Sequence, residues 1–161
     1  MKEILVPNYG VLHLKNVLFD LNGTIQFDGK ISTDLKEKIK RLKEEYDVYL
    51  ISADTRGNLE EIANDLGVSY IKIKVDKIKT ANESEAKKNE LIQLGKENTV
   101  AIGNGNNDSL MLKNAILGII IIGSEGAAIN SLLNADVILP DPISTVDFLL
   151  DEEKIIATLR K

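Results

Sequence analysis

Short runs rich in Val, Ile and Leu recur along this chain with one amphipathic helical segment between each pair, and that alternation leaves few folds open. "NVLFD" (16–20), "DVYLIS" (47–52), "SYIKIK" (69–74), "NTVAIG" (98–103), "GIIII" (118–122) and "ADVIL" (135–139) read as strands. Helices are expected over 32–45, 56–66, 82–94, 107–115 and 126–133, with short helices at the C-terminal end. In the first of them Ser32 to Asp34 offer N-caps, and Leu35, Ile39 and Leu42 fall on one face. Strands so continuously apolar are buried on both sides, which a parallel sheet achieves because each crossover lays a helix against it. The expected fold is therefore α/β, a doubly wound parallel sheet in a Rossmann-like three-layer sandwich. "KEILVP" and "GVLHL", joined around Asn8–Gly10, predict an antiparallel β-hairpin ahead of that sheet.

A chain of 161 residues suits a single domain, 1–161. Only about thirty residues separate successive strand ends, which one ordinary crossover uses up, so no inserted cap domain is expected and the site should be open. An open site leaves room for a neighbouring subunit as its roof, and a homo-oligomer is one expectation. There is no Cys, and His13 is the single His, so any metal must sit on oxygen. The most apolar stretch, "AILGIIIIG" (115–123), is too short to span a bilayer, and the N-terminus does not read as a signal segment; a cytoplasmic protein is expected. A net charge of −5 without a long basic block argues against nucleic acid or a membrane surface as partner.

In doubly wound sheets, sites form beyond the carboxyl ends of the strands near the switch point. Asp20, Ser52 and the segment Asn104–Asp108 fall there. Gly23 would let the chain turn tightly after Asp20, and the Thr24 hydroxyl could bond back to hold the loop. Ser52 reads either as a turn or helix-capping serine or as a hydroxyl aimed at a ligand. Lys87 and Lys88 point about 100° apart around their helix, so only one can enter the site. In "GNGNND", Gly103 and Gly105 supply permissive backbone and Asn107 is expected to fix the loop by hydrogen bonds.

Taken in order, "FDLNGT", "LISAD", "AKK" and "GNGNNDSLML" resemble the four motifs of the haloacid dehalogenase superfamily of phosphatases and phosphotransferases. The resemblance covers roughly residues 15–140 and is closest to the phosphorylation domain of P-type ATPases, as a small soluble relative. It implies that Asp20 attacks phosphorus and becomes an aspartyl phosphate. Ser52 and Ala53, with Gly23 and Thr24, would bind the phosphoryl group. Lys87 would neutralise aspartate and phosphate, and Asp54 is a further candidate for substrate contact. The resemblance also implies a magnesium ion on Asp20, the Asn22 backbone carbonyl and Asp108, with Asn104 near or among the ligands.

The chain departs from the family twice. Asn22 stands where hydrolytic members carry an acid two residues beyond the nucleophile, and Asn104 replaces the first acid of the metal loop. Both changes keep shape and lose charge. General acid–base help is worth about 10² to 10⁴ in rate, so steps that need a proton from position 22 should be slow. P-type ATPases also lack an acid there, so phosphorylation itself survives the change, and substrates with good leaving groups are favoured, such as acyl phosphates or nucleotide γ-phosphates. Magnesium should bind more weakly. The expected function is a slow Mg²⁺-dependent phosphohydrolase or phosphotransferase acting on a small phosphorylated substrate. The alternatives are a catalytically weakened, regulatory phosphate-ligand-binding protein and a soluble partner of a transporter. Each of the two amides precedes a glycine, an arrangement open to deamidation.

Overall fold

Side chains along β3 (Asn16–Asp20) alternate between two hydrophobic cores, and that alternation sets the layers of the molecule. Val17 and Phe19 enter one core and Leu18 the other. The computed structural model describes residues 1–27, 29–74 and 82–161. Its elements run β1 (Lys2–Val6), β2 (Gly10–Leu14), β3, α1 (Thr33–Leu42), β4 (Asp47–Ser52), α2 (Leu59–Leu66), β5 (Ser69–Lys72) and α3 (Glu83–Leu94). They continue with β6 (Thr99–Gly103), α4 (Ser109–Asn114), β7 (Leu117–Ile121), α5 (Ile129–Leu132), β8 (Val137–Leu139), α6 (Pro142–Leu150) and α7 (Glu152–Leu159).

The main sheet has six parallel strands in the order β5-β4-β3-β6-β7-β8. The chain starts in the middle at β3, fills one side through β4 and β5, then returns to the far side of β3 at β6. The switch point therefore lies between β3 and β6, with the end of β4 beside it. One face carries buried residues of α1, α2, α6 and α7, together with Ile4, Val6, Leu12 and Leu14 of the separate antiparallel β1–β2 hairpin. The other face packs Leu91 of α3 and Met111 and Leu112 of α4 against Leu18, Ile51, Ala101 and Ile120. This is the expected doubly wound sandwich with its N-terminal hairpin.

The element ends differ from expectation for local reasons. Asp54, just ahead of the helix expected from 56, and Gly57 within it have φ 57° and 71°, a turn that delays α2 to Leu59. The expected helix over 126–133 shrinks to α5 because Gly126 has φ 78° and the Ala128 N–H donates to the carbonyl of Asn104 at 2.9 Å. Residues 106–108 form a 3₁₀ turn ahead of α4, since the Asp108 side chain is drawn back onto the loop that precedes it.

Candidate active site

Asp20 ends β3 on the same face as Leu18, the face covered by α3. Leu91 anchors that helix in the core, and Lys87, one turn earlier, is carried to the strand end. Its ammonium is fully buried and lies 2.6 Å from Asp20 Oδ1, 2.7 Å from Asp108 Oδ1 and 3.6 Å from Glu83 Oε1. Lys88 instead points outward and pairs with Glu85 at 2.6 Å. The helix phase that the sequence left open between two lysines is thus set by the packing of α3.

Asp108 is buried and uses both oxygens. Oδ1 accepts from Lys87, and Oδ2 accepts from the backbone N–H groups of Asn104 and Gly105, each at 3.0 Å. Gly103 is required by this arrangement, because a Cβ there would overlap the Asp108 side chain. Asn107 donates to Glu83 at 2.8 Å, and Ser84 of α3 meets Ser109 and the Leu110 N–H, so the loop is bonded to the start of α3.

The loop after β3 closes on itself. Thr24 is buried, and its hydroxyl lies 3.4 Å from both Asp20 Oδ2 and Asn104 Oδ1, tying the two strand ends together. Gly23 has φ 76° and its N–H donates to Gln26 O at 2.9 Å. The N–H of Gly105 is likewise engaged with Asp108, so both glycine nitrogens that would have to attack the preceding amides are held. Ser52 at the end of β4 accepts from the Asp54 N–H at 2.9 Å, which leaves its own proton free to donate.

Asp54 itself faces elsewhere: Oδ1 accepts from the Leu59 N–H at the start of α2 and Oδ2 from Lys72. Lys72 holds its carboxyl below the usual carboxylate range.

These groups surround a cavity of about 300 Å³ lined by Asp20, Asn22, Ser52, Ala53, Asn104 and Gly105. Asn107 and three residues not singled out in the sequence, Thr55, Glu83 and Glu125, complete its wall. The one signal in the sequence for Glu125 was its place in "GSEG", just past the end of a parallel strand; Glu83 gave none beyond its place one turn before Lys87. A larger groove of about 530 Å³, beside Phe27, Leu35 and Ile143, is mostly apolar. Its Asp141 is occupied in capping α6 through the Ser144 N–H.

Burial and the nearby Asp108 push the Asp20 carboxyl up to about 7, against the opposing pull of Lys87. For Lys87, burial works against the charge, but Asp20 and Asp108 outweigh it and raise its pKa. The site thus holds a buried lysine between two carboxylates, and among the described residues its negative charges outnumber its positive ones. Among the described residues no three His, Cys, Asp or Glu side chains form a ligand cluster. The oxygen donors that do face the cavity, with the buried Asn22 Oδ1 lacking a hydrogen-bond partner among the described residues, suit a hard divalent ion such as Mg²⁺.

No protein-family model matches the chain. The uncharacterized protein MJ0073 of Methanocaldococcus jannaschii is 47% identical over 92 residues, 55% of this chain and 99% of that one. The chloroplastic copper-transporting ATPase PAA1 of Arabidopsis thaliana is 27% identical over 131 residues, which is 80% of this chain and 13% of the transporter. Among solved structures, the cobalt-bound deoxy-D-mannose-octulosonate 8-phosphate phosphatase YrbI of Haemophilus influenzae superposes with a TM-score of 0.70 at 18% identity, over 92% of this chain and 94% of that one. The corresponding phosphatase of Moraxella catarrhalis, in complex with magnesium, phosphate and KDO, gives 0.69 at 17% identity over the same shares. A phospho-aspartyl intermediate analogue of phosphoserine phosphatase gives 0.63 at 19% identity, over 85% of this chain and 98% of that one.

Proposed function

The chain belongs to the same family as MJ0073 and has the fold of the haloacid dehalogenase superfamily phosphatases, and from that premise we propose that it is a Mg²⁺-dependent phosphohydrolase or phosphotransferase that works through an aspartyl phosphate on Asp20. The observation that carries this reading is the buried Asp20–Lys87–Asp108 contact at the switch point. A carboxylate whose one oxygen is pinned by a buried lysine is costly as a mere structural feature and useful as an oriented nucleophile. Asp20 Oδ1 is held by Lys87, while Oδ2 has, among the described residues, the long contact with Thr24 alone and is the oxygen left to attack phosphorus.

In the first step the Asp20 oxygen bonds to phosphorus and the bond to the leaving group breaks. Ser52 Oγ–H and the backbone around Ala53 bind the phosphoryl oxygens. Asn22 has no proton to give, so the leaving group must depart as a stable anion or take its proton from water; this favours acyl phosphates and other activated phosphates. In the second step the oxygen of water bonds to phosphorus, the bond from phosphorus to Asp20 breaks, and the water's proton passes to the phosphate formed or to solvent. No carboxylate at position 22 activates that water, so turnover is slow.

Asp20, the Asn22 backbone carbonyl and Asn104 would hold the magnesium ion; Asp108, expected as a further ligand, instead spends both oxygens on Lys87 and on the Asn104 and Gly105 N–H groups and shapes the loop. The ion would supply charge neutralisation and orientation for the phosphoryl group. We place the protein in the cytoplasm as a single uncapped domain; among the described residues no helix is long and apolar enough to cross a membrane.

The test is covalent trapping. Acetyl phosphate and Mg²⁺, followed by acid quench and peptide mass spectrometry, should place one phosphoryl group on the peptide containing Asp20, and Asp20→Asn should carry none. A wild-type protein that binds phosphate ligands yet never labels would make it a regulatory binding protein instead.

A further inference from the structure

The wall of the cavity carries more negative charge than its buried cation offsets. Asp20, Glu83 and Glu125 line it, and no Lys or Arg does among the described residues. Lys87, behind Asp20, is already shared by three carboxylates. A phosphate dianion entering this space meets repulsion unless a cation comes with it.

Glu125 lies on the turn after β7, between Gly123 and Gly126, whose φ values of 51° and 78° carry the chain back over the strand ends. Its carboxylate rests against Gly23. A Cβ at Gly23 would overlap Glu125 Oε2 and would come within 2.7 Å of Asn104 Nδ2 and 3.2 Å of Asn104 Oδ1. Glu125 and Asn104 therefore face the same small space, kept free because residue 23 has no side chain. The Asn104 carbonyl also accepts from the Ala128 N–H at 2.9 Å, so the two loops are fixed against each other. In the same wall Asn22 Oδ1 is buried without a donor.

We propose that Glu125 supplies the carboxylate that Asn104 lacks, binding the divalent cation directly or through one water on the side of the site away from Lys87. The inference rests on the reading that Asp20 and Asn104 hold a cation. A hard dication prefers charged oxygen to an amide, and a glutamate reaching in from a neighbouring strand end restores that charge without restoring an acid at position 104. The charge of the metal loop has moved from one strand end to the next.

The experiment is calorimetric titration of Mg²⁺ into the full chain without phosphate, for wild type, Glu125→Gln, the double variant Glu125→Gln with Asn104→Asp, and Glu97→Gln. Glu97 is exposed and precedes β6, at the amino ends of the strands and so opposite the site, and it controls for overall charge. Glu125→Gln should weaken Mg²⁺ binding about 10-fold, Glu97→Gln should leave it unchanged, and the double variant should recover most of the loss. Equal affinity in wild type and Glu125→Gln would overturn this assignment and leave the Asp20 reading standing. So would unchanged affinity together with loss of one limb of the turnover pH profile, since Glu125 would then be moving a proton. A wild-type chain that binds no Mg²⁺ would remove both this assignment and the metal-dependent reading, whereas failure of phosphoryl trapping alone would not touch the Mg²⁺ titration.

Discussion

Asn22 lines the cavity beside Asp20, yet among the described residues its buried amide oxygen has no hydrogen-bond donor. A carboxylic acid in its place would have a proton to donate toward the cavity and afterwards a base for water. Asn22→Asp should raise steady-state turnover of a phosphate ester by about 10-fold to 100-fold, the lower part of the general-acid range, measured by phosphate release at saturating Mg²⁺. Unchanged turnover would show that proton transfer at this position is not what limits the reaction. Residues at strand ends were the legible part of the site. Asp20, Ser52 and Asn104 stand out because each closes a buried apolar run, where a polar side chain is expensive unless it is used. Glu125 does not stand out, because it sits in a turn and reaches the site only once β7 lies two strands away from β3. Thr55 and Glu83 are hidden in the same way: a polar residue in a loop or a first helical turn has many ordinary roles.

At the scale of elements, α3 and the loop before α4 act as one piece. Asp108 joins them through Lys87 and through the N–H groups of Asn104 and Gly105, and Asn107 adds its bond to Glu83. Removing the lysine would leave Asp20 and Asp108 as buried like charges. Lys87→Met should therefore lower stability by about 3–5 kcal/mol, read from the urea midpoint in the presence of chelator, besides abolishing phosphoryl labelling. A loss of under about 1 kcal/mol would mean that Asp20 protonates to relieve the site. The sequence placed this helix over 82–94, but an apolar stripe too weak to fix its rotation left Lys87 and Lys88 open. Strands were read more securely than helices because burial on both sheet faces demands an unbroken apolar run. Helices α2 and α5 start late where positive-φ residues and a borrowed N–H intervene, features of backbone that composition does not display.

For the whole molecule, stability depends on charges that the fold buries as well as on its two cores. Asp136, just before β8, accepts from the Gly118 N–H at 2.7 Å, and partial burial raises its pKa despite that bond. A carboxyl raised on folding is most favourable when protonated. Its contribution is complete below the unfolded-state pKa and is lost as pH climbs through the folded-state value. Asp136→Asn keeps an oxygen for Gly118 and removes the charge, so its melting temperature should match wild type near pH 3 and exceed it near pH 8; an equal difference at both would rule out ionisation as the cause. The parallel sheet carries one more consequence. Because Lys87 is locked between Asp20 and Asp108 before any ligand arrives, the alignment of the Asp20 carboxylate is completed when the chain folds. On the reading proposed above, a substrate would meet a seat already set, and the pace of encounter would follow cation supply and diffusion.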